Sequence, residues 1–122
     1  MTRTVIPMIH VPSVEETAAW YRSIGFDVVD TGSDGADMVW AMLTYGESAI
    51  MLSAGGERSD RPRREMDLYL YTDDVDAEFE KLRERVEIVE GLHDTFYGTR
   101  EFIIRDLNRF WITFGQEIAP RG

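Results

Sequence analysis

The chain has 122 residues, of which 43% are hydrophobic and 11% aromatic, and this composition is typical of one globular domain and argues against a disordered chain. It contains no cysteine, which excludes a disulfide framework, a thiolate nucleophile and a cysteine-type zinc site. Its 23 acidic and 13 basic residues give a formal net charge of −10, which opposes binding to nucleic acid.

The sequence also favours a cytoplasmic protein. No stretch approaches the roughly 20 consecutive apolar residues of a membrane span, and the first residues lack the apolar region of a signal peptide. A chain without cysteine is compatible with a reducing compartment. We therefore expect a cytoplasmic protein with neither a membrane nor a nucleic acid among its partners.

The first half of the chain predicts one β-α-β-β-β unit. An apolar run over 5–11 leads to a helix that begins after Ser13, and Ser13 with Glu16 has the spacing of a capping box. Gly25 ends this helix. Three strand-like segments follow, at 26–30, 38–44 and 48–53.

The second half repeats this pattern, because Ser13 corresponds to Asp74, 61 residues later. An apolar run over 68–71 leads to the second helix, and strands are predicted at 87–90, 100–105 and 110–114. The polar segment 55–65 joins the halves, and we expect its arginine side chains to be solvated. The prediction is thus a single domain, 1–122, made of two repeats at about 1–54 and 66–122.

Two strings carry a resemblance to a known family: WYRSIGF at 20–26 and YGTREFIIRD at 97–106. Together with the repeat, they make the chain resemble the vicinal oxygen chelate superfamily, which includes glyoxalase I, extradiol dioxygenases, fosfomycin-modifying enzymes and bleomycin-resistance proteins. The resemblance implies an α+β fold, in which two paired β-α-β-β-β modules form a curved, half-open mixed sheet around a cleft with the helices outside. The chain departs from the family after Asp106, where Leu-Asn-Arg-Phe replaces the usual Pro-x-Gly-Asn.

The enzymes of this superfamily hold one metal with four inward side chains. The positions that match these ligands are Ile6, Met51, Asp67 and Thr113. Only Asp67 is a credible ligand, and one carboxylate does not hold a transition metal. The resemblance therefore points to the metal-free, bleomycin-resistance-like branch, and we expect no metal, no cofactor and no catalytic residue.

The resemblance implies that the matched ligand positions point into the cleft, and strand alternation extends this face to residues two positions away. The candidate ligand-binding residues on this face are His10, Trp40, Met51, Asp67, Tyr69, Tyr71, Glu101, Trp111 and Thr113. A hydrogen-bonded position at a strand end is an equal alternative for His10, and a cross-strand ion pair is the favoured alternative for Glu101. The other histidine, His93, is expected on an exposed loop.

These expectations predict a metal-free small-molecule binding protein, with drug or antibiotic sequestration as the concrete version. The acidic charge and the aromatic residues favour a cationic or aromatic ligand, and the family favours a homodimer. One alternative is a metal-dependent glyoxalase-like lyase or isomerase, or a dioxygenase, with a rearranged ligand set of Asp67, His10 and Glu101. Another is a structural or regulatory dimer without a ligand.

Overall fold

The computed structural model describes residues 3–118, and the chain divides into two compact units, Met1–Ser59 and Asp60–Gly122. Within the described residues each unit contains one helix and four strands, in the order β-α-β-β-β. Each unit has its own curved, mixed sheet, so the predicted α+β class is confirmed. No helix in this range is long and apolar enough to cross a membrane.

The first unit is built around a sheet with the strand order β1-β4-β3-β2. Strand β1 runs parallel to β4, and the other neighbours are antiparallel. Its elements are β1 (Met8–Val11), α1 (Val14–Ser23), β2 (Asp27–Asp34), β3 (Asp37–Tyr45) and β4 (Ser48–Ala54). Because β1 begins only at Met8, the predicted strand start at residue 5 was wrong, and Ile6 lies before the strand.

The second unit has the same topology, with the strand order β5-β8-β7-β6. The pair Met8–Met51 of the first sheet corresponds to the pair Tyr69–Thr113 of the second. Tyr69 follows Met8 by 61 residues, and Thr113 follows Met51 by 62. Its elements are β5 (Asp67–Tyr71), α2 (Val75–Leu82), β6 (Glu87–Asp94), β7 (Thr99–Arg105) and β8 (Trp111–Glu117).

The placement of His93 on an exposed loop was wrong. Strand β6 continues through an irregularity between Glu90 and His93, and His93 is half-buried opposite Glu101. The predicted strand ended at residue 90, whereas a glycine such as Gly91 is common where a strand bulges and continues.

Both helices begin with the predicted caps. The Glu16 N–H donates to Ser13 Oγ at 3.2 Å, and the Ala77 N–H donates to Asp74 Oδ1 at 3.0 Å. Each helix packs on one face of the sheet in its own unit. The buried side chains of that layer include Val14, Ala18, Tyr21, Leu43 and Leu52 in the first unit and Val75, Leu82, Phe102, Ile112 and Phe114 in the second.

The turn between β7 and β8 stays tight in spite of its unusual sequence. The Asp106 N–H donates to the Phe110 carbonyl at 2.8 Å, and Asp106 Oδ1 accepts the N–H groups of Asn108 and Phe110. Arg109 has a φ of 74°, in the left-handed region that favours glycine. The Asp106 side chain thus holds a turn in which Arg109 adopts the conformation of the replaced glycine.

Candidate functional site

Six of the predicted site residues lie on one face of the second sheet, opposite α2. We call this surface the far face. Asp67 pairs with Trp111, Tyr69 pairs with Thr113, and Tyr71 pairs with a glycine that is itself opposite Glu101. Because paired residues share a face, these side chains project to one side. The members of the far face are Asp67, Tyr69, Tyr71, Glu101, Trp111 and Thr113.

Glu101 is the most buried ionisable side chain of the far face, with 3% of its surface exposed. Its hydrogen-bond partners in the described residues are three hydroxyl groups. Tyr97 donates to Oε1 at 2.9 Å, Thr99 donates to Oε2 at 2.9 Å, and Tyr69 also donates to Oε2. The carboxylate is therefore held by neutral donors, and the favoured alternative of a cross-strand ion pair was wrong.

The sequence did not point to Thr99 as a partner of Glu101. The two residues are two positions apart on β7, so strand alternation could have placed both side chains on the same face. The ion pairs between β7 and β6 are made instead by Arg105 with Glu87 and by Arg100 with Asp94.

Gly115 on β8 makes room for the Tyr69 phenol. A Cβ at position 115 would lie 2.6 Å from the Tyr69 hydroxyl oxygen. The phenol can therefore cross β8 here only because residue 115 is a glycine. Burial and then the hydrogen bond to Glu101 raise the pKa of Tyr69 far above its ordinary value. The hydrogen bond to Glu101 and then burial also raise the pKa of Tyr97.

Tyr69 and Tyr71 form an accessible aromatic pair. Their ring centroids are 4.9 Å apart at an angle of 48°, and 42% and 68% of their respective surfaces are exposed. Thr113, which pairs with Tyr69, is in contrast buried. The far face therefore offers tyrosine rings to a ligand beside a buried polar network that keeps one of them in position.

Arg63 occupies the other end of the far face. Its guanidinium carbon lies 4.0 Å from the centroid of the Trp111 ring, and its Nη2 donates to Asp67 Oδ2 at 2.6 Å. The neighbouring Arg64 lies over the Phe110 ring at 4.5 Å. The expectation of solvated arginine side chains was therefore wrong for Arg64, which is 14% exposed, whereas Arg63 stays 54% exposed while it contacts Trp111 and Asp67.

The three remaining candidates lie in the first unit, on the face of its sheet opposite α1. His10 pairs with Ser53, which pairs in turn with Trp40. Met51 lies between Met8 and Met42 on the neighbouring strands, a row of methionines that the sequence alone did not reveal. His10 is exposed near the end of β1, and its Nδ1 is 3.4 Å from the Ala54 carbonyl oxygen, which fits the strand-end alternative.

The residues at the matched metal positions do not fit a metal. Ile6, Met51 and Thr113 provide neither a carboxylate nor an imidazole, and Asp67 is paired with Arg63. Within residues 3–118 no group of three or more His, Asp or Glu side chains could hold a metal ion.

A shallow groove of about 250 Å³ lies elsewhere in the second unit, between α2, β6 and β7. Arg100 crosses it and donates to Asp94 at 2.7 Å and to Asp76 at 3.3 Å. The hydrogen bond to Arg100 lowers the pKa of Asp94, and the same bond raises the pKa of Arg100. These ion pairs link the helix to the sheet, so we assign the groove a structural role.

The chain matches the family model of the Glyoxalase/Bleomycin resistance protein/Dioxygenase superfamily over residues 4–114, and it belongs to that superfamily. Its fold is similar to that of TioX from Micromonospora sp. ML1, with 20% identity over 94% of this chain and 100% of that chain and a TM-score of 0.74.

Two other solved structures are similar as well. One is a bleomycin-binding protein complexed with bleomycin (18% identity, 96% of this chain, 100% of that chain, TM-score 0.68). The other is a bleomycin resistance determinant encoded on transposon Tn5 (17% identity, 97% of this chain, 100% of that chain, TM-score 0.71). At these identities the structures show a common fold. No curated protein sequence matches this chain.

Proposed function

We propose that this protein is a metal-free small-molecule binding protein that sequesters a cationic, partly aromatic compound, such as a drug or an antibiotic, on the far face of its second sheet. One observation carries the proposal. A planar cation from the chain itself lies on Trp111 beside Asp67, next to the exposed Tyr69 and Tyr71 rings. The surface thus has the chemistry that holds a cation and an aromatic group side by side.

The far face is organised before a ligand arrives. Tyr69 is held by Glu101 and lies over Gly115, so its ring loses little conformational freedom on binding. Each cation–π contact contributes roughly 0.5–2 kcal/mol, and two or three of them with some apolar burial reach micromolar affinity. The net charge of −10 also favours the approach of cations at low salt.

The similar structures support sequestration as the biological role, because two of them are described as bleomycin-binding or bleomycin-resistance proteins. Bleomycin is accordingly the first compound to test. The proposal includes no cofactor and no catalytic residue. It further includes a homodimer as the working form and the cytoplasm as the compartment.

The test is a titration with bleomycin, followed by tryptophan fluorescence and by calorimetry. We expect saturable binding that Tyr71→Ala and Trp111→Ala each weaken about tenfold, since each removes an aromatic contact. Val29→Ala, which removes exposed apolar surface in the first unit, is the control and should bind like the unchanged protein. Unchanged affinity in both aromatic variants would contradict the proposed site.

Elemental analysis after dialysis separates this proposal from the metal-dependent alternative. We expect no stoichiometric divalent metal, because the matched positions lack a ligand set. One equivalent of zinc, nickel, manganese or iron per chain, lost in Asp67→Ala or His10→Ala, would overturn the metal-free assignment.

A further inference from the structure

We infer that Arg63 is an internal competitor for the ligand, and that the ligand carries a planar guanidinium or amidinium group that replaces Arg63 between Trp111 and Asp67. This inference rests on the proposed function. It adds the chemical class of the cationic group and assigns Arg63 the role of setting the specificity of the site.

The geometry around Arg63 defines the group that the site accepts. The guanidinium carbon lies over the Trp111 ring, 4.0 Å from its centroid, and Nη2 donates to Asp67 Oδ2 at 2.6 Å. A planar, delocalised cation satisfies an aromatic face and a carboxylate at the same time. An ammonium group is compact and strongly hydrated, so it does not match both partners equally well.

The Arg63 side chain is easy to displace. It is 54% exposed, and the Asp67 side chain is 34% exposed. Ion pairs at such exposure contribute little to stability, because water and salt screen them. Arg64 differs, because its side chain is 14% exposed, donates to the Asn108 carbonyl at 3.0 Å and packs on Phe110.

The backbone around Arg63 is held independently of its side chain. The Pro62 carbonyl accepts the Trp111 Nε1–H at 3.1 Å and the Arg105 Nε–H at 2.9 Å. The Arg61 carbonyl accepts the Arg109 Nε–H at 2.5 Å. A ligand can therefore push the Arg63 side chain into solvent while the loop stays in place and Trp111 keeps its orientation.

The experiment compares Arg63→Ala and Arg63→Gln with the unchanged full chain. The control is Arg61→Ala, which removes the same charge from the same loop and whose side chain pairs with the exposed Glu65. Three compounds are compared. Benzamidine is a planar cation, benzylamine carries an ammonium group on the same ring, and benzoate is the matched anion. Binding is followed through the Trp111 indole N–H signal in NMR spectra, which also reports that the hydrogen bond to Pro62 is intact.

We expect both Arg63 variants to bind benzamidine about tenfold more tightly than the unchanged protein, since the competing guanidinium is gone. Arg61→Ala should show no gain, benzylamine should bind more weakly than benzamidine, and benzoate should show no gain in any variant. Benzamidine binding in both Arg63 variants that equals or is weaker than binding to the unchanged protein would overturn the inference. A lack of benzamidine binding in the unchanged protein and in both variants would overturn it as well.

The two proposals fail separately. If bleomycin binds and neither Arg63 variant changes benzamidine affinity, the proposed function stands and the internal competitor is wrong. If bleomycin does not bind and both Arg63 variants gain affinity for benzamidine, the competitor is supported and sequestration of bleomycin is wrong.

Discussion

Gly115 lies directly beneath Tyr69, and a Cβ at position 115 would come within 2.6 Å of the Tyr69 hydroxyl oxygen. The phenol reaches Glu101 only because this space is free. The buried network of the far face therefore depends on the absence of one methyl group on the neighbouring strand.

Gly115→Ala tests this relationship. We expect the variant to lower the free energy of unfolding by about 1–3 kcal/mol, because the new methyl group forces the Tyr69 ring away from Glu101. Urea unfolding measures the change. Gly91→Ala on β6 is the control, since a Cβ there meets nothing within 4 Å. Equal stability of the two variants would show that the contact does not matter.

Tyr69 makes the stability of the folded chain depend on pH in the alkaline range. Its pKa is raised by burial and by Glu101, so the folded chain keeps the phenol proton at pH values where the unfolded chain, with a pKa near 10.0, has lost it. This contribution to stability is fully present below pH 10 and is lost as pH rises towards the folded pKa. Stability should therefore fall above pH 10, and less steeply in Tyr69→Phe.

Parallel pH profiles for Tyr69→Phe and the unchanged protein would contradict this assignment. Tyr71→Phe is the control, because it removes a phenol from the same strand and leaves the hydrogen bond from Tyr69 to Glu101 in place. The absorbance of the phenolate provides a second readout, in which Tyr69→Phe should remove a late-titrating group.

The strands could be predicted from their period of two, and the far face from that period together with the matched ligand positions of the superfamily. Alternation counted from Asp67 and Thr113 places Tyr69, Tyr71 and Trp111 on one side, and the register of β5 with β8 brings them together. The helix caps at Ser13 and Asp74 could also be predicted from the sequence, because capping depends only on residues close together in the chain.

What the sequence could not reveal comes from loop conformation and from cross-strand packing. Alternation along β7 relates Thr99 to Glu101, but no periodic pattern brings the hydroxyl groups of Tyr69 on β5 and Tyr97 on the preceding loop to the same carboxylate. Arg63 looked like a solvated side chain because nothing in an irregular polar segment indicates which way it folds.

The turn at Arg109 offers a test of backbone strain. Both Arg109→Gly and Arg109→Ala lose the contact of the guanidinium with the Arg61 carbonyl, so they differ mainly in their tolerance of a φ of 74°. We expect the glycine variant to be more stable than the alanine variant by about 1 kcal/mol in urea unfolding. An alanine variant of equal or greater stability would argue against strain at this position.

The expected homodimer is tested by sedimentation equilibrium. The far face exposes aromatic surface, and Tyr71 alone is 68% exposed. The edge strands of small sheets are also often covered by a partner. We expect a species of twice the 14.1 kDa chain mass at micromolar concentration. A single species of 14.1 kDa over that range would contradict the dimer.

The most direct test of ligand binding on the far face is an NMR titration of the isotope-labelled protein with bleomycin. We expect saturable shifts with micromolar affinity, largest at the Trp111 indole and around Tyr69 and Tyr71. The indole signals of Trp20 and Trp40, in the first unit, should shift less. Absence of any shift, or shifts concentrated at Trp20 and Trp40 with Trp111 unchanged, would contradict ligand binding on the far face.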